Sequence, residues 1–338
     1  MASGLLRPVA RLVRAAGLFI SLALLWPASA VAQDEMATPA LDASPITIGG
    51  GVPFGLYYPL AGAICQLIER QGGSEDAGAA RSCRVASLSD SAAAIAALQQ
   101  AEVDLALVQS DWLAHAAAGT SRFQEAGPAE DLRSVAALHG EGLVMMVRAG
   151  EGLERPADLQ GLRVSRGAEQ SYRALLTYAL LGAVDLSTDD LAMATAEPVA
   201  DGLAKLCRAE VDAVAAITAR PAQAAAAAPA GCAVAYLTID PDAAEEAAAD
   251  MPGVEALLLP LDGPDGRRLS SFGMTAVLAA SANADPAVVA DAARAILSGA
   301  RDLAALHPAL STIAPERLER AADFAPLHPA AKALYRGE

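Results

Sequence analysis

The stretch "ITIGGGVPFGLYYPLAG", residues 46–62, decides the fold. Ile46 to Ile48 read as a short buried strand, and Pro59 to Arg70 as a helix carrying Leu60, Ile64, Leu67 and Ile68 on one face. Gly50 and Gly55 have the outer spacing of a phosphate-binding loop, but Leu56 and Tyr57 stand where Lys and Ser or Thr are needed. The dinucleotide fingerprint fails as well, because Phe54 occupies the place of its third glycine. A strand, a glycine turn and a helix survive these exclusions. Such a unit either presents backbone N–H groups to a ligand at a helix N-terminus or is a tight turn and nothing more.

Outward from this unit, strands and helices alternate. Strands are expected at 84–87, 103–108, 134–138 and 143–147, with helices at 91–100 and 111–118 between them. After a loop at 149–156 the pattern restarts, with strands at 162–165, 211–217 and 233–239 and helices at 170–181, 198–207 and 221–228. A long apolar strand at 272–280 and a helical tail follow. Alternation of this kind predicts an α/β fold with mostly parallel sheets covered by helices. Two such runs predict two lobes: lobe I from 45–147 plus 273–338, and lobe II from 148–272.

Arg7, Arg11 and Arg14 precede an apolar run from Ala15 to Trp26, and the small-residue sites Ala28-Ser29-Ala30 and Ala30-Val31-Ala32 follow it. This reads as a cleaved signal peptide over 1–32 and an exported, periplasmic chain, with 33–44 as a disordered lead-in. Cleavage removes three arginines and no acids from 24 basic and 40 acidic side chains, taking the formal charge from −16 to −19. That balance speaks against nucleic acid and anionic membranes as partners. In an oxidising compartment the four cysteines are expected to pair. Four allow three connectivities. The sequence-local pairs, Cys65–Cys83 and Cys207–Cys232, each staple a helix to a strand within one lobe. The four histidines lack ligand spacing and no Cys-x-x-Cys occurs, so no metal site and no cofactor are expected. No Gly-x-Ser-x-Gly, His-Glu-x-x-His or Ser-x-x-Lys signature points to an enzyme.

Four segments, in order over nearly the whole mature chain, carry a resemblance. They are Gly55-Leu56-Tyr57-Tyr58-Pro59, "AEVDLALVQSDWLAHAAAG" (101–119), "ADLQGLRVSRGAEQS" (157–171) and "PLHPAAKALYR" (326–336). Together they resemble the TAXI family, the solute-binding subunits of one branch of tripartite (TRAP) transporters. The resemblance implies a two-lobed periplasmic binding protein fold, type II-like, with a hinge between lobes. It also implies a small carboxylated solute (an acidic amino acid or dicarboxylate) and membrane permease subunits as partners. A monomer without catalytic activity is expected. The turns departing from the family's pattern are Leu88 to Ser91 and Gly167 to Tyr172, which bring Asp90 and Glu169 beside them. A periplasmic sensor or adaptor of the same fold is the second reading.

The candidate contacts are Gly55 and Tyr57 on the glycine turn, and Gln109, Ser110 and Asp111 where a strand ends and a helix begins, the place where ligands collect in α/β sheets. Ser91 and Ser171 are either contacts or N-caps. Glu141 is expected on a loop after a His139-Gly140 turn, matching an acid of the resembled family. Gly167 lies on the second-lobe turn. Arg166 and Arg173 flank it; each either grips a carboxylate or pairs within the protein, and Arg173 is the expected anchor.

Overall fold

The computed structural model describes residues 45–72, 81–261 and 266–337. The expected signal peptide and lead-in lie outside the described residues. The first half of the chain runs β1 (Ile46–Gly50), α1 (Tyr57–Gly72), β2 (Cys83–Ser87), α2 (Ser91–Gln99), β3 (Leu105–Gln109), α3 (Ser110–Ala118) and β4 (Leu132–Arg148). The second half follows with β5 (Arg163–Ser165), α4 (Tyr172–Gly182), β6 (Met193–Thr195), α5 (Val199–Cys207), β7 (Ala213–Thr218), α6 (Pro221–Ala225), β8 (Val234–Tyr236), α7 (Pro241–Ala249) and β9 (Val254–Pro260). Then β10 (Arg268–Ser281), α8 (Pro286–Leu306) and α9 (Pro329–Arg336) close the chain.

The described strands form one mixed sheet in the order β2-β1-β3-β10-β4-β7-β5-β6, with β8 also on β4 and β9 also on β10. Only the flanks are parallel: β1 with β2 and β3, and β5 with β6 and β7. The centre is antiparallel, because β4 and β10 pair with each other and with the strands beside them in opposite directions. The mostly parallel sheets expected from the alternation are therefore corrected to parallel flanks around an antiparallel centre. Alternation reveals the crossover helices but not the direction of two long strands lacking them.

The fold has two lobes, and the apolar clusters show where one passes into the other. In the first lobe Val135, Ala136 and Leu138 of β4 and Ala276, Leu278 and Ala280 of β10 pack with β1, α1 and α8. In the second, Leu143, Met145 and Val147 of β4 and Phe272 and Met274 of β10 pack with α4, β7 and α7. The handover falls at His139–Gly142 on β4 and at Thr275 on β10, and these segments are paired neighbours in the sheet. The C-terminal segment returns to the first lobe, where Tyr335 Oη donates to the Val135 carbonyl at 2.8 Å.

Two expectations fail locally. The break expected at 139–142, a His139-Gly140 turn and the loop carrying Glu141, lies inside the continuous β4. Its glycines serve close approach instead. A Cβ on Gly142 would stand 2.4 Å from Ser271 Oγ, and one on Gly273 would stand 2.2 Å from the Glu141 carbonyl oxygen. Glu141 accordingly sits on a strand, not on a loop. The sequence reading also missed β6, α7 and β9. Both cysteine pairs form as expected, Cys65–Cys83 and Cys207–Cys232. No helix among the described residues is long and apolar enough to cross a membrane.

Candidate functional site at the crossing strands

At the handover between lobes the sheet carries a cluster of polar side chains. Tyr57, the first residue of α1, sets its ring edge-on to His139, with centroids 5.7 Å apart and planes at 87°. His139 is fully buried and neither ring nitrogen makes a hydrogen bond. Its Nε2 lies 3.5 Å from Glu141 Oε1, and the Glu141 side chain retains 22% exposure, enough to meet a ligand. Gln109, at the end of β3, donates through Nε2 to Glu141 Oε2 at 3.2 Å.

Asp111 stands in the first turn of α3, almost wholly buried, with Oδ1 lacking a hydrogen-bond partner. Burial raises its pKa to about 6, against the backbone N–H groups of Trp112 and Asp111 itself; the Glu141 charge adds to the rise, and Tyr172 opposes it. Tyr172 begins α4 in the second lobe, so this interaction crosses the cleft. Its own pKa is raised by burial and by Asp111. The buried Tyr57 hydroxyl has no hydrogen-bond partner, and burial, then Glu141 and Asp111, hold its pKa well above the ordinary tyrosine value. The centre of the cleft is thus acidic and aromatic.

The other expected contacts have protein partners. Ser110 is buried; its hydroxyl donates to the Gly253 carbonyl at 2.5 Å and accepts the Thr275 N–H at 2.8 Å, joining α3 to the approach of β9 and to β10. Gly253 has φ +75°, and a Cβ there would fall 2.4 Å from the Asp111 Cα, so a side chain would push the two lobes' backbones apart. Ser91 Oγ accepts the Gln109 N–H at 3.1 Å, while Asp90 caps α2 through the Ala93 N–H. Ser171 caps α4 by accepting from the Ala174 N–H at 3.2 Å. Arg173 donates to the carbonyls of Ala215 at 3.2 Å and Glu197 at 2.5 Å, and a Cβ on Gly167 would stand 2.5 Å from its Nε. Burial lowers the Arg173 pKa from its ordinary value. Arg166 pairs with the exposed Glu169 and lies 5.0 Å from the Tyr178 ring centroid.

A pocket of about 380 Å³ opens beside Glu141. Phe54 and Gly55 wall it from the β1–α1 turn, and Thr218, Arg220 and Gln223 from the β7–α6 turn of the other lobe. Phe54 is fully exposed. Of the expected residues, Gly55 and Glu141 line this pocket, while Tyr57, Gln109 and Asp111 gather around Glu141 behind it. Sequence reasoning missed Phe54, His139, Tyr172, Thr218 and Arg220. A signal for the last two existed: Thr218-Ala219-Arg220-Pro221 ends a strand and starts a helix, the same position that singled out Gln109.

Among solved structures, the chain is similar to the periplasmic aliphatic sulphonate binding protein of Escherichia coli. The identity is 16%, over 87% of this chain and 79% of that one, with a TM-score of 0.43. A putative periplasmic sulfonate-binding protein from Methylobacillus flagellatus is similar at 11% identity over 78% and 70%, with a TM-score of 0.48. The L-cystine solute receptor of Neisseria gonorrhoeae, in its unliganded open conformation, is similar at 10% over 76% and 88%, with a TM-score of 0.45. Residues 48–338 match the NMT1-like family, which is most of the chain and both lobes, and the protein belongs to that family.

Proposed function

We propose that this protein is the extracytoplasmic solute receptor of a TRAP-type transporter, closing two lobes on a small carboxylate-bearing organic solute and passing it to membrane permease subunits. The observation that carries the reading is the pocket itself: residues of both lobes wall it, and Glu141, on the strand that passes between them, reaches into it. Closure is then a hinge motion about 139–142 and Thr275, between a lobe of 45–147 plus 273–338 and a lobe of 148–272. The periplasmic binding proteins similar to this chain transport or bind small solutes by their own descriptions, and the acidic cleft needs no chemical step. Arg220 lines the pocket and Arg173, which donates to two carbonyls, does not, so the carboxylate contact expected of Arg173 falls to Arg220.

The test is release of a retained solute. Protein purified from its native export route without dialysis, then denatured, should release one small organic molecule near one equivalent. Mass spectrometry of the released fraction checks this. Release of nothing, together with no thermal shift from any class in a solute library, overturns the receptor reading.

A further inference from the structure

We propose that Arg320 is a latch across the hinge: its ion pair with Glu255 ties the lobes together in the arrangement that brings Tyr172 to Asp111. The inference rests on the hinge of the receptor reading and deepens it by naming what sets the balance between lobe arrangements. Glu255 stands near the start of β9, between Val254 and Ala256, which pack on the apolar cluster of the second lobe. Arg320 lies in the short helical segment Pro315–Asp323, where Leu318 and Ala321 are buried in clusters of the first lobe. The Arg320 guanidinium meets Glu255 Oε2, so each half of the pair is anchored in a different lobe. Glu255 Oε1 accepts the Thr275 hydroxyl at 2.5 Å, at the residue where β10 passes from one lobe to the other. The Glu255 side chain keeps only 10% exposure, and a pair sheltered in this way is screened less than one fully in water.

Two features make the contact releasable. Arg320 Nε also lies 3.5 Å from Asp323 Oδ2, within its own segment. When the lobes part, the guanidinium keeps that carboxylate, and release does not leave it unpaired. An open pocket of about 400 Å³ adjoins Arg320, walled by Ala248 and Met251 and by Val254 of β9, and it gives the side chain room to swing. The consequence for the receptor is arithmetic. A solute that binds one lobe arrangement has its apparent affinity scaled by the fraction of molecules already in it. Arg320 therefore tunes affinity without touching the solute.

Distances between two spin labels on the full exported protein, freed of retained solute, test this. The native cysteines are all paired, so labels attach only at Arg301→Cys, exposed on α8 of the first lobe, and Asp201→Cys, exposed on α5 of the second. Arg320→Gln should lower the population at the distance of the described arrangement, relative to all others, by roughly threefold or more. Arg320→Lys keeps the charge and should restore most of it. Glu255→Gln keeps an acceptor for Thr275 and should match Arg320→Gln, so the proposal stays testable if either variant folds poorly. Raising salt from about 0.05 to about 0.5 M should move the parent the same way and leave Arg320→Gln unmoved. Distributions of Arg320→Gln and Glu255→Gln that match the parent's overturn the latch. If solute recovered from the native protein still shifts the labels in that case, the receptor reading stands. A native protein that retains no solute fails the receptor reading instead, while the solute-free distances still decide the latch.

Discussion

Gly273→Ala is expected to destabilise the protein by on the order of 3 kcal/mol or more and to abolish solute binding. Gly273 faces Gly142 across the β10–β4 ladder and Glu255 across the β10–β9 ladder. The added Cβ would stand 2.2 Å from the Glu141 carbonyl oxygen and 2.7 Å from the Gly142 Cα, and both are backbone atoms. A flexible side chain can swing away from such a clash, but two paired central strands cannot. Relief requires β4 and β10 to part where they pass between lobes, and this displaces Glu141 from the pocket. Gly62 is the contrasting position. It lies inside α1 with nothing within 4 Å of its Cβ direction, so Gly62→Ala should stabilise by roughly 0.5–1 kcal/mol. Urea denaturation midpoints of the two variants check both signs. A Gly273→Ala protein with the parent's midpoint would falsify the packing account.

Asp111→Asn should stabilise the solute-free protein near pH 7 while weakening solute binding, the usual trade-off at a site that holds an unpaired buried charge. Asp111 has its pKa raised from 3.8 to about 6, chiefly by burial. A raised acid pKa means that the native state holds its proton more tightly than the unfolded chain. That contribution is fully present below about pH 4 and is lost as pH rises through about 6. At about 1.36 kcal/mol per pKa unit, the loss is on the order of 3 kcal/mol. That figure is already net of the backbone N–H groups of Trp112 and Asp111, which favour the charged form. The variant should therefore be more stable by on the order of 3 kcal/mol at pH 7 and nearly equal to the parent at about pH 4. Comparing variant with parent cancels the salt-bridged carboxylates, such as Asp212 beside Arg163, whose lowered pKa values act in the opposite direction. Midpoints at the two pH values decide it; parallel profiles contradict the buried-charge account.

Much of this was legible in the sequence where local chemistry and tertiary role agree. The apolar run at 46–48, the strand ending at Gln109 and the helix starting at Ser110 lie within one or two residues of where periodicity puts them. The cysteine pairs followed from proximity along the chain. The centre of the molecule was less legible because its rules are not local. His139-Gly140-Glu141-Gly142 carries the composition of a turn, yet its glycines exist to let two strands approach, a need set by residues more than a hundred positions away. The β9 strand at "VEALLLP" owes its form to pairing with β10, and α7 exposes most of its short, acidic sequence while burying three alanines. At the site, residue types were read well and their engagements were not. The sequence marks Arg173 as a free anion anchor, and only the fold reveals the two carbonyls that hold it. Arg166 illustrates the converse, since its pairing with Glu169 three residues on was readable from spacing alone.

A crystal structure of the protein carrying the solute it retains through gentle purification tests the central claim most directly. The account predicts density for one small carboxylate-bearing molecule between the β1–α1 and β7–α6 turns, beside Glu141 and with its carboxylate on Arg220. A solute seated elsewhere, with the space beside Glu141 empty, would contradict it.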